Sequence, residues 1–412
     1  MDNITIDTSK ESIDKFFDVK IDSILPSKEE FRKLLESGKR LTFYMGADVT
    51  APRLHIGHTI PFLKMSHLQK MGHKIIFLIG DFTGRIGDPT DKSAARTKLT
   101  DQEVEANTQA FIQQIKTIFD FNNKENPPEI KFNSTWNSNL SFKDIIELAS
   151  NFTVQQMIER DMFQKRLKDN KPIYLHEFLY PLIQGYDSVA MEVDGEFGGS
   201  DQTFNMLAGR TLVKNILKKE KFIITMKLLL SADGVNKMSK SIGNCIFITD
   251  SNHEKFGKIM SLPDNLLIHY FELLTDLNSE ELDTLKTRIT TEPMLVKKEL
   301  AYKVVAMFDG EERASEAKTN FEKTVQNKEI PTEIPTFERK NLENQLNPEE
   351  KILLKDFITA IGLTASNSES KRLIAENAVE IDQQKKTDPN ELINPEEVSL
   401  VKVGKRNWKK LI

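Results

Sequence analysis

The sequence predicts an α/β fold in which a large parallel-sheet domain is followed by an α-helical domain and a small α+β module. Three observations predict it: a strand, a helix and a strand succeed one another over residues 41–80, helical spacing runs through 251–327, and prolines punctuate 328–350. A strand–helix–strand unit of this length brings its two strands together in parallel. Its loops and helix N-termini then gather at the carboxyl edge of the sheet, where ligands bind.

Each element of the large domain, residues 41–250, has its own signal. The first strand is LTFYMGAD, the helix extends from about Ile56 to Met71 and ends at Gly72, and the second strand is KIIFLIG. A helical insertion is predicted near 98–170, with IKFNST as its one candidate strand. Beyond it, IYLHEFLYPLIQGYDSVAMEV is predicted as a helix, EFGGSDQ as the opening of another helix to about Lys219, and FIITMKLLL as a strand.

The rest of the chain divides into four segments. Residues 1–40 are predicted as a helical lead-in, whose apolar face carries Phe16, Phe17, Ile21 and Ile24. Residues 251–327 are predicted as an α-helical domain, 328–350 as a proline-bearing linker or extended strap, and 351–412 as a small terminal module.

Composition sets the class of the protein. At 412 residues the chain is too long for one core and is expected to form two or three domains. Its net charge of −5 gives no global basic field, so that any RNA-binding patch must be local. The single cysteine, Cys245, excludes an intrachain disulfide and zinc sites of the multi-cysteine type. The polar start and the lack of an apolar run of membrane-spanning length lead us to expect a cytoplasmic protein.

The segment His55-Ile56-Gly57-His58 follows the first strand and begins the first helix of the large domain. A helix N-terminus offers unpaired N–H groups and a positive dipole to phosphate. Gly57 allows close approach of the backbone, and two histidines can donate to phosphate oxygens as charge develops. Taken alone, the segment is also compatible with a chance i, i+3 pair on a helix face or with a metal site.

The segment Lys237-Met238-Ser239-Lys240-Ser241 lies in a Gly- and Ser-rich loop after a strand. Two lysines on such a loop can move onto a triphosphate and neutralise the leaving pyrophosphate, chiefly in the transition state. Taken alone, the segment is also typical of an ordinary surface loop.

Together the two segments resemble the signature pair of the class I aminoacyl-tRNA synthetases. That resemblance implies a Rossmann-like catalytic domain, an aminoacyl-adenylate intermediate, and ATP with Mg²⁺ as substrate, with no prosthetic group and no metal held by the protein. His55, His58, Lys237 and Lys240 are then expected to be the catalytic residues, as stabilisers of the transition state.

Four further blocks resemble the tyrosine-specific members of that family. They are YMGADVT at 44–50, TGRIGDP at 83–89, YPLIQGYD at 180–187 and GGSDQ at 198–202. By this resemblance Tyr44 and Asp187 flank the phenolic hydroxyl of tyrosine, and its ammonium is bound by Tyr180, Gln184 and Asp88, with Gln202 nearby. The nucleotide is bound by Gly46, Asp48, Thr50, His55, Gly57, His58, Gly199, Asp201 and Lys240.

Some of these positions have a second interpretation. A buried carboxylate at Asp187 without a partner would be costly, which favours a substrate hydroxyl as that partner. Asp88 is also compatible with a cap of the loop before the following proline. Tyr186, between the polar positions of its helix, is interpreted as ordinary core packing.

Two segments have less specific roles. The Ser- and Ala-rich stretch from Lys92 to Arg96 is either a loop that closes over the phosphates or a plain surface loop. Gln155 lies where one subtype of the family often has asparagine, and it is expected to contact the ammonium end of the substrate or a water beside it.

The terminal module resembles the S4 RNA-binding fold through LLKDFITAIGLTASNSESKRLIAENAVEID. That resemblance implies RNA binding by Lys371 and Arg372 on its basic helix. Lys405 and Arg406, in the acid-free end KVGKRNWKKLI, are expected to contribute. A solvated charged tail is the alternative.

The module departs from the usual S4 pattern at two turns. Asn377-Ala378 stands where Gly-Gly is common, and Asp382-Gln383 where Asn-Gly is common. Because asparagine tolerates left-handed backbone better than most residues, the turn at Asn377 is expected to persist.

The resemblance as a whole implies an enzyme that activates L-tyrosine with ATP and transfers it to tRNA(Tyr). It also implies a homodimer with the helical insertion at its interface, with 251–327 on the anticodon side. A tryptophan-specific relative would not need Tyr44 and Asp187 around a phenol, and a small nucleotidyltransferase would not need an S4-like tail. An RNA-binding protein without catalysis would not need both phosphate-handling segments.

Overall fold

The computed structural model describes residues 4–48, 52–88, 100–238, 245–326, 334–343, 351–404 and 407–412. The chain divides into two compact units, Met1–Glu311 and Glu312–Ile412. Within the described ranges no helix is both long enough and apolar enough to cross a membrane.

The first unit consists of one sheet covered by helices. Its strands are β1 (Ile21–Leu25), β2 (Thr42–Ala47), β3 (Lys74–Ile79), β4 (Glu129–Phe132), β5 (Gly195–Gly199) and β6 (Phe222–Met226). Its helices are α1 (Lys10–Phe16), α2 (Lys28–Glu36), α3 (Thr59–Lys70), α4 (Thr83–Ile86), α5 (Asp101–Ile115), α6 (Ser134–Asn137), α7 (Phe142–Ala149), α8 (Val154–Ile158), α9 (Asp161–Lys168), α10 (His176–Ala190), α11 (Thr203–Leu212), α12 (Asn252–Met260), α13 (Leu267–Leu274), α14 (Ser279–Thr291) and α15 (Pro293–Asp309). Single 3-10 turns occupy Ile56–His58, Ser200–Gln202 and Asp264–Leu266, and a π-helical turn, Val213–Leu217, continues α11.

The sheet has the strand order β1-β6-β5-β2-β3-β4. All neighbouring pairs are parallel except β1 with β6, which is antiparallel. Strands β2 and β3 pair in parallel with α3 between them, which confirms the predicted strand–helix–strand unit. The candidate strand in the insertion is also confirmed, because β4 pairs with β3 at the edge of the sheet. The carboxyl ends of the parallel strands therefore meet at one edge.

Strand β5 corrects the sequence prediction. We expected EFGGSDQ to open a helix, but Gly195–Gly199 is a buried central strand between β2 and β6. Its glycines are needed there: a Cβ on Gly195 would lie 2.7 Å from the Phe43 ring. Glycine-rich strands lack the β-branched and aromatic residues that mark a strand in sequence, so the pattern gave no signal.

The lead-in, residues 1–40, is not wholly helical. Phe16 lies in α1, but Ile21 and Ile24 lie in β1, where Ile24 pairs with Ile224 of β6. The apolar residues that we placed on one helix face thus belong to a helix and to an added edge strand. The pairing partner lies about two hundred positions away along the chain, so that local spacing could not reveal it.

The second unit is an α+β module. Its helices are α16 (Glu311–Phe321, beginning at the boundary), α17 (Lys340–Glu343), α18 (Leu354–Ala360) and α19 (Asn367–Ala375), and a second π-helical turn occupies Glu322–Gln326. Its strands are β7 (Thr336–Phe337), β8 (Ile352–Leu353), β9 (Val379–Ile381), β10 (Gln384–Lys386), β11 (Leu392–Ile393), β12 (Leu400–Val403) and β13 (Asn407–Leu411). One sheet has the order β10-β9-β12-β13-β7, and β8 pairs with β11.

The predicted linker or extended strap, 328–350, is described at 334–343, where it packs within the second unit. Thr336 and Phe337 pair in parallel with β13, and Leu342 is fully buried in the apolar core of the second unit. Residues 327–333 and 344–350 lie outside the described part of the chain. A two-residue strand carries too little pattern to be recognised without its partner.

The left-handed turn predicted at Asn377 forms, and a second left-handed turn lies at Asp382 and Gln383. Asp382 and Gln383 have φ angles of 47° and 69° and connect β9 to β10 as a two-residue hairpin loop. Asn377 has a φ angle of 57°. A two-residue hairpin loop of type I′ has left-handed backbone at both positions, and here two non-glycine residues adopt it.

Candidate active site

The two histidines of the first motif lie at the start of α3, at the carboxyl edge of the sheet. The His55 backbone N–H donates to Nδ1 of His58 at 3.1 Å, and the two rings stack with centroids 3.6 Å apart. A Cβ on Gly57 would lie 3.1 Å from the His55 ring and 3.3 Å from Leu229, so that glycine is the residue that fits between them. The pair is thus fixed at a helix N-terminus. Among the described residues, no cluster of three or more His, Cys, Asp or Glu side chains could hold a metal.

The chain on both sides of the lysine loop runs beside this histidine segment. The Ile56 N–H donates to the Ile246 carbonyl at 2.9 Å, and the Ile248 N–H donates to the Leu54 carbonyl at 2.9 Å. Lys237 pairs with Leu230, and its ammonium lies 2.5 Å from Oδ2 of Asp201. The two motifs, separated by about 180 positions, therefore share one edge of the sheet. Lys240 lies outside the described residues.

Asp48, at the end of β2, accepts two side-chain hydrogen bonds. Tyr180 donates to its Oδ2 at 2.8 Å, and Thr83 donates to its Oδ1 at 2.7 Å. A Cβ on Gly80 would lie 2.1 Å from Oδ1, so that only glycine leaves room for this carboxylate. Burial, followed by the charge of Asp48, raises the pKa of Tyr180 well above its usual value, so its hydroxyl is a proton donor.

Asp88 lies among polar side chains from the insertion and from α11. Gln202 donates to its Oδ2 at 2.8 Å and Asn205 at 3.3 Å, while the guanidinium of Arg160 lies 3.8 Å from Oδ1. Arg160 is itself buried and packs on the ring of Phe204. These partners bring Asp88 and Gln202 together, as the predicted ammonium site requires.

Asp187 is fully buried, and the protein itself supplies its hydrogen bonds. Trp136 donates to it at 2.7 Å, Asn137 at 2.9 Å and Asn133 at 3.2 Å. Burial of this carboxylate is thus offset in part by three neutral donors, which lowers the free-energy cost that we expected a substrate partner to offset. No cation among the described residues pairs with it, and burial raises its pKa to about 7.

A buried polar network connects Tyr44 to Gln184. The Tyr44 hydroxyl lies 2.8 Å from the hydroxyl of Ser188, and Lys221 donates to the same serine at 2.8 Å. Lys221 also donates to Glu196, which accepts from the Gln184 amide at 3.3 Å. Two of the predicted tyrosine-binding residues are thus joined through a lysine and a glutamate.

The remaining predicted positions lie on α8, on the second unit or outside the described residues. Gln155 is exposed on α8, and its side chain makes no hydrogen bond to any residue that the structure describes. Lys371 and Arg372 lie on α19 of the second unit, where Arg372 pairs with Glu376 at 3.0 Å. Thr50, Lys92, Arg96, Lys405 and Arg406 lie outside the described residues.

Comparison with known proteins identifies the family. Residues 36–326 match the family model of the tRNA synthetases class I (W and Y). The tyrosine–tRNA ligase of Desulfotalea psychrophila is 43% identical over 390 residues, which cover 93% of this chain and 93% of that one. This chain belongs to the class I tyrosine–tRNA ligases. The tyrosine–tRNA ligase of Carboxydothermus hydrogenoformans is equally similar, with 43% identity over 390 residues and 93% of each chain covered.

Solved structures of tyrosyl-tRNA synthetases share the α/β fold. A C-terminally truncated mitochondrial enzyme of Coccidioides posadasii has a TM-score of 0.60 and 23% identity, covering 75% of this chain and 90% of its own. The Archaeoglobus fulgidus synthetase, solved with L-tyrosine, has a TM-score of 0.58 and 18% identity, covering 76% of this chain and 100% of its own. At these identities the likeness shows the class I synthetase fold.

In this member of the tyrosine–tRNA ligase family, the sequence did not indicate the residues whose side chains hold the predicted site residues through hydrogen bonds and ion pairs. They are Thr83, Asn133, Trp136, Asn137, Arg160, Ser188, Glu196, Asn205 and Lys221. One signal could have found Glu196: a charged residue between Gly195 and Phe197, in a segment otherwise made of glycine and phenylalanine, needs a partner when it is buried. The others occupy ordinary helix or loop positions, and only their contacts distinguish them.

Proposed function

We propose that this protein is a tyrosine–tRNA ligase that makes tyrosyl-adenylate from L-tyrosine and ATP and then charges tRNA(Tyr). The observation that carries the proposal is 43% identity to tyrosine–tRNA ligases over 93% of the chain. The buried hydroxyl and carboxylate of Tyr44 and Asp187 support tyrosine as the amino acid, because such a pair matches a phenol. A ligand without the hydroxyl would bury both groups without the hydrogen bonds that a phenol forms with them, which favours tyrosine over phenylalanine.

The ammonium of tyrosine is assigned to a cluster of acceptors. Tyr180, Gln184, Asp88 and Gln202 are the proposed ligands, and the contacts of Asp88 with Gln202 and of Tyr180 with Asp48 support this cluster. The buried guanidinium of Arg160 holds Asp88 from the opposite side. Gln155 is exposed, so that its proposed role is limited to a water-mediated contact.

ATP, carrying Mg²⁺ as part of the substrate, is assigned to the edge where the two motifs meet. Its proposed ligands are Gly46, Asp48, Thr50, His55, Gly57, His58, Gly199, Asp201 and Lys240. A Cβ on Gly199 would lie 2.4 Å from Oδ1 of Asp201, so glycine keeps that carboxylate available for a ribose. Lys92 and Arg96 are proposed to belong to a loop over the phosphates.

The chemistry needs orientation and charge stabilisation more than acid–base catalysis. A tyrosine carboxylate oxygen attacks the α-phosphorus of ATP, and the bond from that phosphorus to the oxygen bridging the β-phosphate breaks. Pyrophosphate leaves with that oxygen and the bonding electrons. His55, His58, Lys237 and Lys240 stabilise the charge that develops. A hydroxyl of the terminal tRNA ribose then attacks the acyl carbon, loses its proton, and AMP departs.

RNA recognition is assigned to the second unit as an S4-like module. Lys371 is exposed on α19, and Arg372 beside it is held by Glu376. The left-handed turns at Asn377 and at Asp382–Gln383 preserve the backbone that the S4 pattern needs. Lys405 and Arg406 are proposed to add phosphate contacts.

A homodimer through the helical insertion is proposed from exposed apolar side chains. Phe142 and Leu175 are 81% and 79% exposed, and Ile146, Val154 and Tyr174 are also exposed. These residues lie on α7, α8 and the segment before α10. Clustered exposed apolar residues of this kind mark interaction surfaces.

The experiment that tests the function is tyrosine-dependent exchange of labelled pyrophosphate into ATP. We expect exchange with tyrosine and none with tryptophan or phenylalanine. Exchange with tryptophan at the rate seen with tyrosine would contradict the proposal and assign the chain to the tryptophan-specific branch of the family.

A further inference from the structure

Lys221 is a fully buried cation for which the proposed chemistry has no direct use. Its exposed fraction is 0%, and its ammonium has three acceptors: Ser188 at 2.8 Å, the Met206 carbonyl at 3.3 Å, and the carboxylate of Glu196. An ammonium carries three protons, so that each one has a partner. The group is therefore held in one position.

The backbone around Lys221 is shaped to admit its ammonium. A Cβ on Gly209 of α11 would lie 2.5 Å from Nζ of Lys221 and 3.0 Å from the Ser188 hydroxyl. A Cβ on Gly185 of α10 would lie 3.0 Å from the Gly209 backbone nitrogen. The two helices cross at these glycines, and the space left there is filled by the lysine head group.

An ion pair in this position is a poor way to gain stability. Removing both charges from water costs several kcal/mol per ion, and apolar side chains of similar volume often stabilise a protein as well or better. The pair formed by Lys221 and Glu196 therefore needs another explanation. The neighbours of the pair suggest an explanation. Lys221 donates to Ser188 and Glu196 accepts from Gln184, and both of these residues belong to α10 beside the proposed tyrosine pocket.

On the lysine side, the path leads to the Tyr44 hydroxyl. The ammonium donates to Ser188, whose oxygen lies 2.8 Å from that of Tyr44. Because the positive charge sits on one side of Ser188, the serine O–H is best directed away from it, toward Tyr44. Tyr44 then accepts from Ser188, and its own proton is directed either toward Glu196 or to a ligand. Burial, followed by the charge of the nearby Glu196 carboxylate, raises the pKa of Tyr44.

On the glutamate side, the path leads to the Gln184 amide. Glu196 lies directly opposite Tyr44 in the parallel pair β5–β2, and Oε1 accepts from Gln184 at 3.3 Å. With its nitrogen bound to Glu196, the amide can present its oxygen as an acceptor to an ammonium. The charge of Lys221 also balances nearby carboxylates: burial lowers its pKa, while Glu196 and Asp187 act against that shift.

We propose that Lys221 and Glu196 are a positioning pair for tyrosine selection. Lys221 orients the Tyr44 hydroxyl through Ser188, and Glu196 orients the Gln184 amide. One buried ion pair thus positions the groups that bind the phenolic hydroxyl and the ammonium of tyrosine. This inference rests on the proposed tyrosine–tRNA ligase function. It concerns how the substrate pocket is held, and neither residue touches the substrate.

The test compares Lys221→Met with Lys255→Met in the full-length protein. Lys255 is the matched control, because it is also 0% exposed and hydrogen-bonded, to the Ile248 carbonyl and to Asp309. For Lys221→Met we expect the KM for tyrosine in pyrophosphate exchange to rise about tenfold, the size of one lost pocket hydrogen bond, with the KM for ATP unchanged. The ratio of kcat/KM for tyrosine to kcat/KM for phenylalanine, which measures discrimination against phenylalanine, should fall. Lys255→Met should lower the melting temperature without changing either KM.

A second variant tests the proposal if Lys221→Met fails to fold. Ser188→Ala keeps the ion pair but breaks the path to Tyr44, and it should lower discrimination against phenylalanine while the KM for ATP stays at the wild-type value. The proposal is overturned if both Lys221→Met and Ser188→Ala keep wild-type tyrosine KM and discrimination, or if Lys255→Met raises the tyrosine KM equally. A wild-type protein without tyrosine-dependent exchange would instead overturn the proposed function itself.

Discussion

The hydroxyl of Tyr180 donates a hydrogen bond of 2.8 Å to Oδ2 of Asp48. The bond joins the middle of α10 to the end of β2, so that one proposed tyrosine ligand is held by one proposed nucleotide ligand. The same carboxylate accepts from Thr83, which belongs to α4. Three separate segments thus meet at Asp48, and the position of each depends on the other two.

Removing the Tyr180 hydroxyl should therefore weaken catalysis more than folding. For Tyr180→Phe we expect kcat/KM for tyrosine in pyrophosphate exchange to fall. The fall corresponds to a loss of about 1–2 kcal/mol of transition-state stabilisation. Steady-state exchange assays measure this loss. Tyr186→Phe is the control, since Tyr186 lies in the same helix and packs against an apolar cluster. An equal loss in both variants would contradict a specific role of Tyr180.

Asp187 should make stability depend on pH. Its pKa is raised from 3.8 to about 7, so that between these values the folded protein keeps a proton that the unfolded chain has lost. Stability then falls as pH rises through this window, by at most roughly 1.4 kcal/mol per pH unit from this group. Asp187→Asn removes the titration. Denaturant unfolding at several pH values measures the free energy of unfolding of both proteins. From pH 5 to pH 7 the value for the variant should rise relative to that for the wild type, and a constant difference would contradict the assignment.

Lys237 should act chiefly in the transition state of adenylate formation. Its ammonium contacts Asp201 at the edge where the proposed ATP site lies. For Lys237→Ala we expect the forward rate constant to fall, with little change in tyrosine affinity. The fall corresponds to a loss of about 2–4 kcal/mol of transition-state stabilisation. Stopped-flow measurement separates the two quantities. Lys214→Ala, at an exposed lysine on α11's π-helical extension, is the control. Weakened tyrosine binding with an unchanged rate would give Lys237 a ground-state role.

Charging of tRNA should depend on the second unit, while adenylate formation should not. The family match ends at residue 326, and β7 already belongs to the second sheet, so a chain ending at Gln326 is the informative truncation. It should exchange pyrophosphate normally and charge tRNA poorly. Each phosphate contact removed should flatten the log–log salt dependence of tRNA binding by about one unit or less. Equal charging by both chains at every salt concentration would remove the RNA-binding role of this unit.

Association should depend on the apolar residues exposed on the insertion. Phe142→Asp places a charge at an 81% exposed apolar position, and we expect the dimer to dissociate in sedimentation equilibrium. Met294→Asp, at a 49% exposed apolar position on α15, is the control and should leave the assembly intact. An unchanged mass for Phe142→Asp would place the interface elsewhere.

Sequence alone determined what depends on short-range pattern. The parallel unit of β2, α3 and β3 follows from one apolar run, one helix and a glycine stop, all within forty residues. The histidine and lysine motifs, and the blocks around Tyr44 and Asp187, were recognisable because their residue types and order are specific. The left-handed turn at Asn377 was also predictable, because asparagine tolerates left-handed backbone better than most residues.

Tertiary structure decided what depends on partners distant in the chain. Strand β5 is glycine-rich and becomes a strand only because β2 and β6 flank it, and β1 is a strand only because β6 offers an edge. The hydrogen bonds of Asp187 come from Trp136, Asn133 and Asn137, about fifty positions earlier. Lys221 and Glu196 carry no motif, and they meet because β5 pairs with β6 and because Gly209 of α11 leaves room for the lysine head group. A buried charge needs a partner, but the sequence does not say which one, because the fold selects it in space.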